Sequence, residues 1–86
     1  MEFEFDSKKS EANLEKHGID FDAAKVLWLD INAVEIPAKS AIEIRKMLIA
    51  ELDGKIWAAI FTERGNKVRI ISVRRARRNE EILYEK

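Results

Sequence analysis

The residue of this chain best suited to proton transfer is His17, the only histidine in the sequence. Its imidazole can act as a base or an acid near neutral pH. His17 lies in the run Lys16-His17-Gly18, however, and cationic side chains at the end of a helix also interact favourably with the helix dipole and its exposed carbonyl groups. Two interpretations therefore stay open, a residue that takes part in chemistry and a residue that caps a helix.

Glu43 and Arg45 form a second candidate pair. They are two residues apart in a predicted strand, so we expect their side chains to share one face of the sheet. A carboxylate in such a place can orient or deprotonate a substrate, and a guanidinium can hold two phosphate oxygens at once. The alternative is an ordinary charge pair on a solvated sheet surface.

Basic residues are concentrated in the second half of the chain, although the net charge is zero. Residues 1–43 carry 5 Lys and 10 Asp or Glu, a net charge of −5, whereas residues 44–86 carry 11 Lys or Arg and 6 Asp or Glu, a net charge of +5. This asymmetry is typical of a surface that binds a polyanion. The other interpretation is a solvated basic face that the acidic half of the fold balances.

Four residues of this basic half are candidates for a site, namely Arg69, Arg74, Arg78 and Tyr84. Arg69 and Arg74 fall on opposite faces of a regular strand, so one site can use both only if a bulge or the strand end intervenes. Arg74 and Arg78 share a helix face if the last helix begins that early. Tyr84 can stack on a base, donate a proton or simply pack the last helix.

The pattern of apolar residues predicts one domain over residues 1–86, with the element order β-α-α-β-β-β-β-α. Strands are predicted at 2–6, 33–36, 42–52, 55–62 and 67–74, and helices at 8–16, 21–29 and 76–85. Asp53-Gly54 predicts a two-residue hairpin, and Glu63–Asn66 a four-residue connection. The predicted fold class is α+β, with a curved antiparallel sheet packed on helices.

Composition narrows the kind of protein further. The 86 residues are 47% hydrophobic and 37% charged, which favours a folded domain with a densely charged surface. The absence of cysteine excludes disulfides and thiolate metal sites. The sequence has no phosphate-binding glycine loop, dinucleotide fingerprint or metal-ligand cluster, so neither a cofactor nor a metal is predicted. We see no signal peptide or membrane span, which predicts a cytoplasmic protein without membrane contact.

Several motifs resemble those of the BrnT toxin family, in the same order along the chain. The N-terminal one is Asp6-x-x-Lys9-x-x-x-Asn13-x-x-Lys16-His17-Gly18-Ile19-x-Phe21-x-x-Ala24. The later ones are Glu43-x-Arg45, Arg69-Ile70-Ile71-Ser72-x-Arg74 and Arg74-x-Ala76-x-Arg78-x-Glu80-x-x-x-Tyr84. Together they cover almost the whole chain.

The resemblance implies a fold like that of RelE toxins and microbial ribonucleases. It also implies the toxin of a type II toxin–antitoxin pair, which cuts RNA and so lowers protein synthesis. The implied partner is a BrnA-like antitoxin that represses the shared operon, so DNA would be contacted only indirectly, through the antitoxin. Whether cutting requires the ribosome stays open.

RNA cleavage without a metal needs a base for the ribose 2′-OH, a cation for the phosphorane and an acid for the leaving 5′-oxygen. With the resemblance, the predicted catalytic residues are His17, Glu43, Arg45, Arg74 and Tyr84, and the predicted RNA-binding residues are Lys16, Arg69 and Arg78. The base is left open between His17, Glu43 and a lysine. A phosphate-binding Arg74 predicts an Arg74→Ala variant that stays folded but has reduced toxicity. The alternatives to an enzyme are a non-catalytic module that binds RNA or a partner, and a structural domain stable only in a complex.

Overall fold

The computed structural model describes residues 1–40 and 42–86. The elements in chain order are β1 (Glu2–Glu4), α1 (Ser7–His17), α2 (Phe21–Ala24), a 3₁₀ helix (Lys25–Leu29), β2 (Val34–Ala38), β3 (Arg45–Leu52), β4 (Lys55–Arg64), β5 (Lys67–Arg75) and α3 (Arg78–Glu85). The predicted element order and the α+β class are confirmed. The predicted second helix is α only over its first turn, and continues as the 3₁₀ helix.

The five strands form one sheet in the order β1-β5-β4-β3-β2. β2, β3, β4 and β5 pair in antiparallel fashion and form a meander, in agreement with the predicted antiparallel sheet. β1 instead pairs with β5 in parallel, so the sheet is mixed rather than purely antiparallel. The reason is topological: the helices return the chain to the far edge of the sheet, and no local signal in a three-residue strand specifies its partner.

Two tight turns set the register of the meander. Asp53 and Gly54 both have positive φ, 53° and 76°, which gives the strand twist that a two-residue hairpin needs. The predicted four-residue connection after β4 is wrong, since Arg64 already pairs with Lys67 and leaves only two residues in the turn. Gly65, at φ 60°, makes the shorter turn accessible.

The main core lies between one face of the sheet and the helical segment that follows β1. Its fully buried side chains include Phe21, Leu27, Phe61, Ile70 and Val73. Partly buried aromatic rings extend this cluster, and the ring centroid of Trp28 lies 5.2 Å from that of Phe3 and 5.3 Å from that of Phe61. Burial of this apolar area is the main source of stability in such a small chain.

α1 is anchored by polar side chains rather than by an apolar stripe. The Asn13 side chain donates from Nδ2 to the carbonyl oxygens of Ile19 (2.8 Å) and Val73 (2.9 Å), and its Oδ1 accepts from the Val73 N–H (3.2 Å). The Ser10 hydroxyl accepts from the backbone N–H of Phe21 (2.9 Å). Asn13 thus pairs with the edge of β5 as a neighbouring strand would, and fixes the distance between α1 and β5.

α3 packs against the opposite face of the sheet. Ile49 and Ala58 pair across β3 and β4 and lie outside the main core cluster, yet both are 0% exposed. The Tyr84 hydroxyl donates to Asp30 Oδ2 (2.6 Å), and Arg74 forms two hydrogen bonds to Glu80. α3 therefore covers one end of this face and leaves the rest of it open.

Candidate functional site

The part of this second face that α3 leaves uncovered is called the open face below. Strand register and side-chain alternation place Ile36, Met47, Ile60 and Ser72 in one row across it, all of them half-buried. The row nearer the sheet end contains Arg45, Thr62 and Arg69.

A bulge in β5 brings two of the predicted arginines onto the open face. Ile60 pairs with Ser72 and Phe61 pairs with Ile70, so Ile71 has no partner in β4. The alternation therefore changes phase at Ile71, and the buried positions of β5 are Val68, Ile70 and Val73. One site could use both Arg69 and Arg74 only if a bulge or the strand end intervened. The bulge meets this condition, because it places both side chains on the same face as Ser72.

Two arginines flank Thr62 at the end of the open face. Neighbouring strands are about 4.8 Å apart, so the Cα atoms of Arg45 and Arg69, two strands apart, are separated by about 10 Å. Thr62 is 6% exposed, and its hydroxyl donates to the carbonyl oxygen of Ile44 (2.8 Å). The two arginines therefore lie on either side of Thr62 at this end of the open face.

Glu43 lies beside Arg45, although not in the way that the sequence predicted. β3 begins at Arg45, so Glu43 precedes the strand, and strand alternation does not set its direction. The Arg45 Nε nevertheless donates to Glu43 Oε1 (3.2 Å), and an Arg64 nitrogen lies 3.8 Å from Glu43 Oε2. Glu43, Thr62 and Arg64 help to line a groove of about 560 Å³ at this end of the sheet. A carboxylate and two guanidinium groups therefore meet at a solvent-open groove.

Arg69 and Arg74 each have a carboxylate partner as well. Arg69 Nη1 lies 2.9 Å from Glu4 Oε2, which ties β5 to β1. Arg74 donates to both carboxylate oxygens of Glu80, at 2.8 and 2.9 Å, and the Glu80 side chain is only 7% exposed. The hydrogen bonds from Arg74 lower the pKa of Glu80 against the opposing effect of burial, and those to Glu80 raise the pKa of Arg74. The Arg74 pair therefore joins β5 to the start of α3.

Glu80 also determines where α3 begins. Its Oε1 accepts from the backbone N–H of Arg77 (2.8 Å), and Arg77 itself has an extended backbone. The helix therefore starts at Arg78 and not at residue 76, so the condition under which Arg74 and Arg78 would share a helix face is not met. Arg78 instead lies near Glu81 and Glu85 on the exposed side of α3.

Tyr84 lies at the far end of α3, in a different network. The carboxylate of Asp30 accepts from its hydroxyl and from the backbone N–H groups of Asn32 and Glu51. The hydrogen bond to Asp30 raises the pKa of Tyr84 to about 12. Burial raises the pKa of Asp30, but the three hydrogen bonds outweigh this effect and the net shift is downward. The contacts of Tyr84 are those of a group that holds α3 against the sheet.

Lys16 and His17 lie at a second cavity, between α1 and β5. This cleft, of about 230 Å³, is lined by α1 and by Ile71 and Ser72 of the bulge. Lys16 and His17 occupy the last turn of α1, which ends at Gly18 with φ 81°. The predicted site residues are therefore divided between the groove beside Glu43 and the cleft beside His17, and Ser72 lies between them, since it belongs to the open face and also lines the cleft.

Sequence reasoning passed over several residues that shape these sites. Glu80 and Asp30 were not selected as site residues, although both match the family motifs, Glu80 before Tyr84 and Asp30 directly after the second helix. Ser72 was quoted only as part of a motif. Lys9 was also quoted only as part of a motif, and it lines the same cleft as Lys16.

Within residues 1–40 and 42–86, no cluster of three His, Cys, Asp or Glu side chains is arranged to hold a metal ion. None of the helices described is long and apolar enough to cross a membrane.

The fold and the site define a class of small α+β proteins with one mixed sheet, helices on one face and a terminal helix over part of the other. Residues 5–80 match the family described as the ribonuclease toxin, BrnT, of type II toxin–antitoxin systems. The chain belongs to this BrnT family, which assigns it an RNA substrate and an antitoxin partner. No individual curated protein matches the chain.

Proposed function

We propose that the chain is an endoribonuclease that cuts RNA without a metal ion and thereby inhibits translation, with the open face as the surface where the reaction occurs. The observation that carries this proposal is the gathering of Arg45, Arg69 and Ser72 on one uncovered sheet face, with Glu43 bound to Arg45. Guanidinium groups stay charged at every physiological pH and can hold phosphate oxygens in pairs, which is the role that a metal fills in other nucleases.

The reaction consists of two proton transfers and one exchange of bonds at phosphorus. A base removes the proton from the ribose 2′-OH, the 2′-oxygen bonds to phosphorus, and the bond from phosphorus to the 5′-oxygen breaks as that oxygen receives a proton. Arg45 and Arg69 are placed to stabilise the charge of the phosphorane. Glu43 is the candidate base on the groove side, and His17 is the candidate on the cleft side. The products are a 2′,3′-cyclic phosphate and a 5′-hydroxyl.

Arg74 and Tyr84 have different parts in this proposal. Both side chains are bonded to carboxylates that hold α3, Glu80 for Arg74 and Asp30 for Tyr84. We therefore assign them a positioning role, in which they keep α3 at one end of the open face. Arg78, exposed on α3, is kept as a candidate for contact with RNA beyond the open face.

The partners follow from the family and from the chemistry of the substrate. We propose a BrnA-like antitoxin that binds this chain and itself contacts the operator DNA, so that this chain meets DNA only indirectly. The site of action is the cytoplasm, where messenger RNA is translated. The residues of the open face are half-buried rather than fully covered, so we expect cleavage of free RNA as well as of RNA on the ribosome.

The test is a cleavage assay on end-labelled RNA with the purified chain in excess chelator. Discrete fragments that carry 2′,3′-cyclic phosphate ends are the expected result. Intact RNA, from a chain shown to be folded by its cooperative thermal transition, would contradict the proposal. If that folded chain still bound RNA, the alternative of a non-catalytic binding module would replace it.

A further inference from the structure

The cleft between α1 and the bulge of β5 contains more positive charge than the sequence motifs suggested. Lys9, Lys16 and His17 all line it, together with Ser72. Their spacing of seven and eight residues puts them along one side of α1, two turns apart. Among the described residues, the ion pairs do not include Lys9, Lys16 or His17.

The position of Lys9 is unfavourable for the helix itself. Lys9 lies in the first turn of α1, where the helix dipole favours acidic side chains and disfavours cations, and that turn contains no acidic residue. Asp6 caps the helix by accepting from the backbone N–H groups of Lys8 (2.8 Å) and Lys9 (3.1 Å), but its carboxylate forms no ion pair with either ammonium group. A lysine at such a place breaks a local rule of helix stability, which is the pattern expected of a functional residue.

The cleft is also held at a fixed width and connects with the open face. Asn13 lines it and ties α1 to β5 through two hydrogen bonds to Val73. Ser72 lines the cleft from the edge of β5 and also belongs to the row of residues that crosses the open face. An RNA strand bound on the open face can therefore continue over the edge of β5 into the cleft.

We propose that this cleft is a second phosphate-binding subsite, which holds a backbone phosphate of single-stranded RNA next to the segment that lies on the open face. The ammonium groups of Lys9 and Lys16 and the imidazole of His17 surround the phosphate, beside the part of β5 that the cleft shares with the open face. This inference rests on the proposed ribonuclease function, because it assigns the cleft to the same RNA. Lys9 is the residue that distinguishes it, since Lys9 lines the cleft whereas its neighbour Lys8, equally without an ion pair among the described residues, does not.

The test compares two neighbouring lysines of the full-length chain. Lys9→Gln removes a charge that lines the cleft, and Lys8→Gln removes the same charge from the same turn but outside the cleft. The probe is a fluorescent single-stranded 2′-O-methyl RNA, which cannot be cut, and its affinity is measured by anisotropy over a range of salt concentrations. One lost phosphate contact is expected to make the salt slope of the Lys9→Gln variant less steep by about 0.7, and Lys8→Gln is expected to keep the wild-type slope.

Thermal unfolding supplies the second readout. Lys9→Gln is expected to have an unchanged or higher Tm, because it removes a cation from the positive end of the helix dipole. Equal salt slopes for the two variants would overturn the subsite, and so would a Lys9→Gln variant that weakens RNA binding only by unfolding. Failure of the proposed function looks different: the wild-type chain would leave cleavable RNA intact, whatever the two lysine variants do.

Discussion

At the scale of the residue, the contacts of Arg74 are those of a group that stabilises the fold, whereas the sequence predicted a catalytic residue. Its guanidinium donates to both oxygens of Glu80, whose side chain is 7% exposed, while the Arg74 side chain is 22% exposed. The same carboxylate also caps the backbone of Arg77. Removal of Arg74 would therefore leave a largely buried carboxylate without its main partner, which costs more than the loss of a surface ion pair.

We accordingly expect Arg74→Ala to lower the free energy of unfolding by about 2 kcal/mol. Urea denaturation of the purified variant measures this change. Arg78→Ala is the matched control, because the Arg78 side chain is 69% exposed and its removal should change the free energy by less than about 0.5 kcal/mol. Equal, small effects for the two variants would mean that the Arg74–Glu80 pair does not stabilise α3.

At the scale of the element, α3 is attached to the sheet by two polar contacts at its opposite ends. Arg74 and Glu80 hold its first turn, and Asp30 and Tyr84 hold its last. Between them α3 covers Ile49 and Ala58, which are fully buried. The position of α3, and with it the boundary of the open face, therefore depends on groups that titrate.

The alkaline limit of this attachment is set by Tyr84. Its pKa is raised from the ordinary 10.0 to about 12, so the folded chain holds the hydroxyl proton more tightly than the unfolded chain does. The resulting stabilisation is complete below pH 10 and is lost as the pH rises through about 12. Tyr84→Phe should be about 1 kcal/mol less stable than wild type at neutral pH. Because the variant has no hydroxyl to titrate at this position, it should lack the loss of stability that Tyr84 causes in wild type above pH 10.

The measurement is the free energy of unfolding of wild type and Tyr84→Phe from pH 7 to 12, with the wild-type tyrosinate followed by its absorbance, since Tyr84 is the only tyrosine. The difference between the two chains cancels the titration of the lysines. It should shrink from pH 10 upward. A difference that stays constant to pH 12 would show that Tyr84 is not bonded to Asp30 in solution. At low pH the dependence of stability on pH has the opposite direction. Because the pKa values of Asp30 and Glu80 are lowered in the folded chain, stability is lost as the pH falls through those values.

The elements also show which parts of the structure could be predicted from sequence. Asp53-Gly54 specifies a turn with two positive φ angles, so its hairpin and the strands beside it were predicted correctly. The bulge at Ile71 could not be predicted, because a bulge depends on the pairing of two strands and leaves no signal in either one. The start of α3 was misplaced for a similar reason, since it depends on a carboxylate held by Arg74 in another element.

At the scale of the whole molecule, the opposite charges of the two halves are largely interleaved rather than separated. Glu4 of the acidic half lies against Arg69, and Glu43 lies against Arg45. Sequence reasoning therefore selected Arg45, Arg69 and Glu43, but not Glu4, which binds Arg69. The family motifs supplied the candidate residues, which remain a prediction, whereas their division between a groove and a cleft is seen only in the fold.

The central claim is that the open face is the surface on which RNA is cut, and Arg45 tests it most directly. The measurement is the single-turnover rate of RNA cleavage in excess chelator for wild type, Arg45→Ala and Arg75→Ala. Arg75 is the matched control: it is exposed on the same sheet, but its guanidinium lies 5.6 Å from the ring centroid of Trp57, on the side away from the open face.

We predict that Arg45→Ala lowers the cleavage rate by about 10²–10³-fold, as expected for loss of one group that stabilises transition-state charge, and that Arg75→Ala cleaves as wild type does. Both variants should keep a cooperative thermal transition. Equal rates for the two variants, from folded chains, would contradict the account and would place the reaction elsewhere than on the open face.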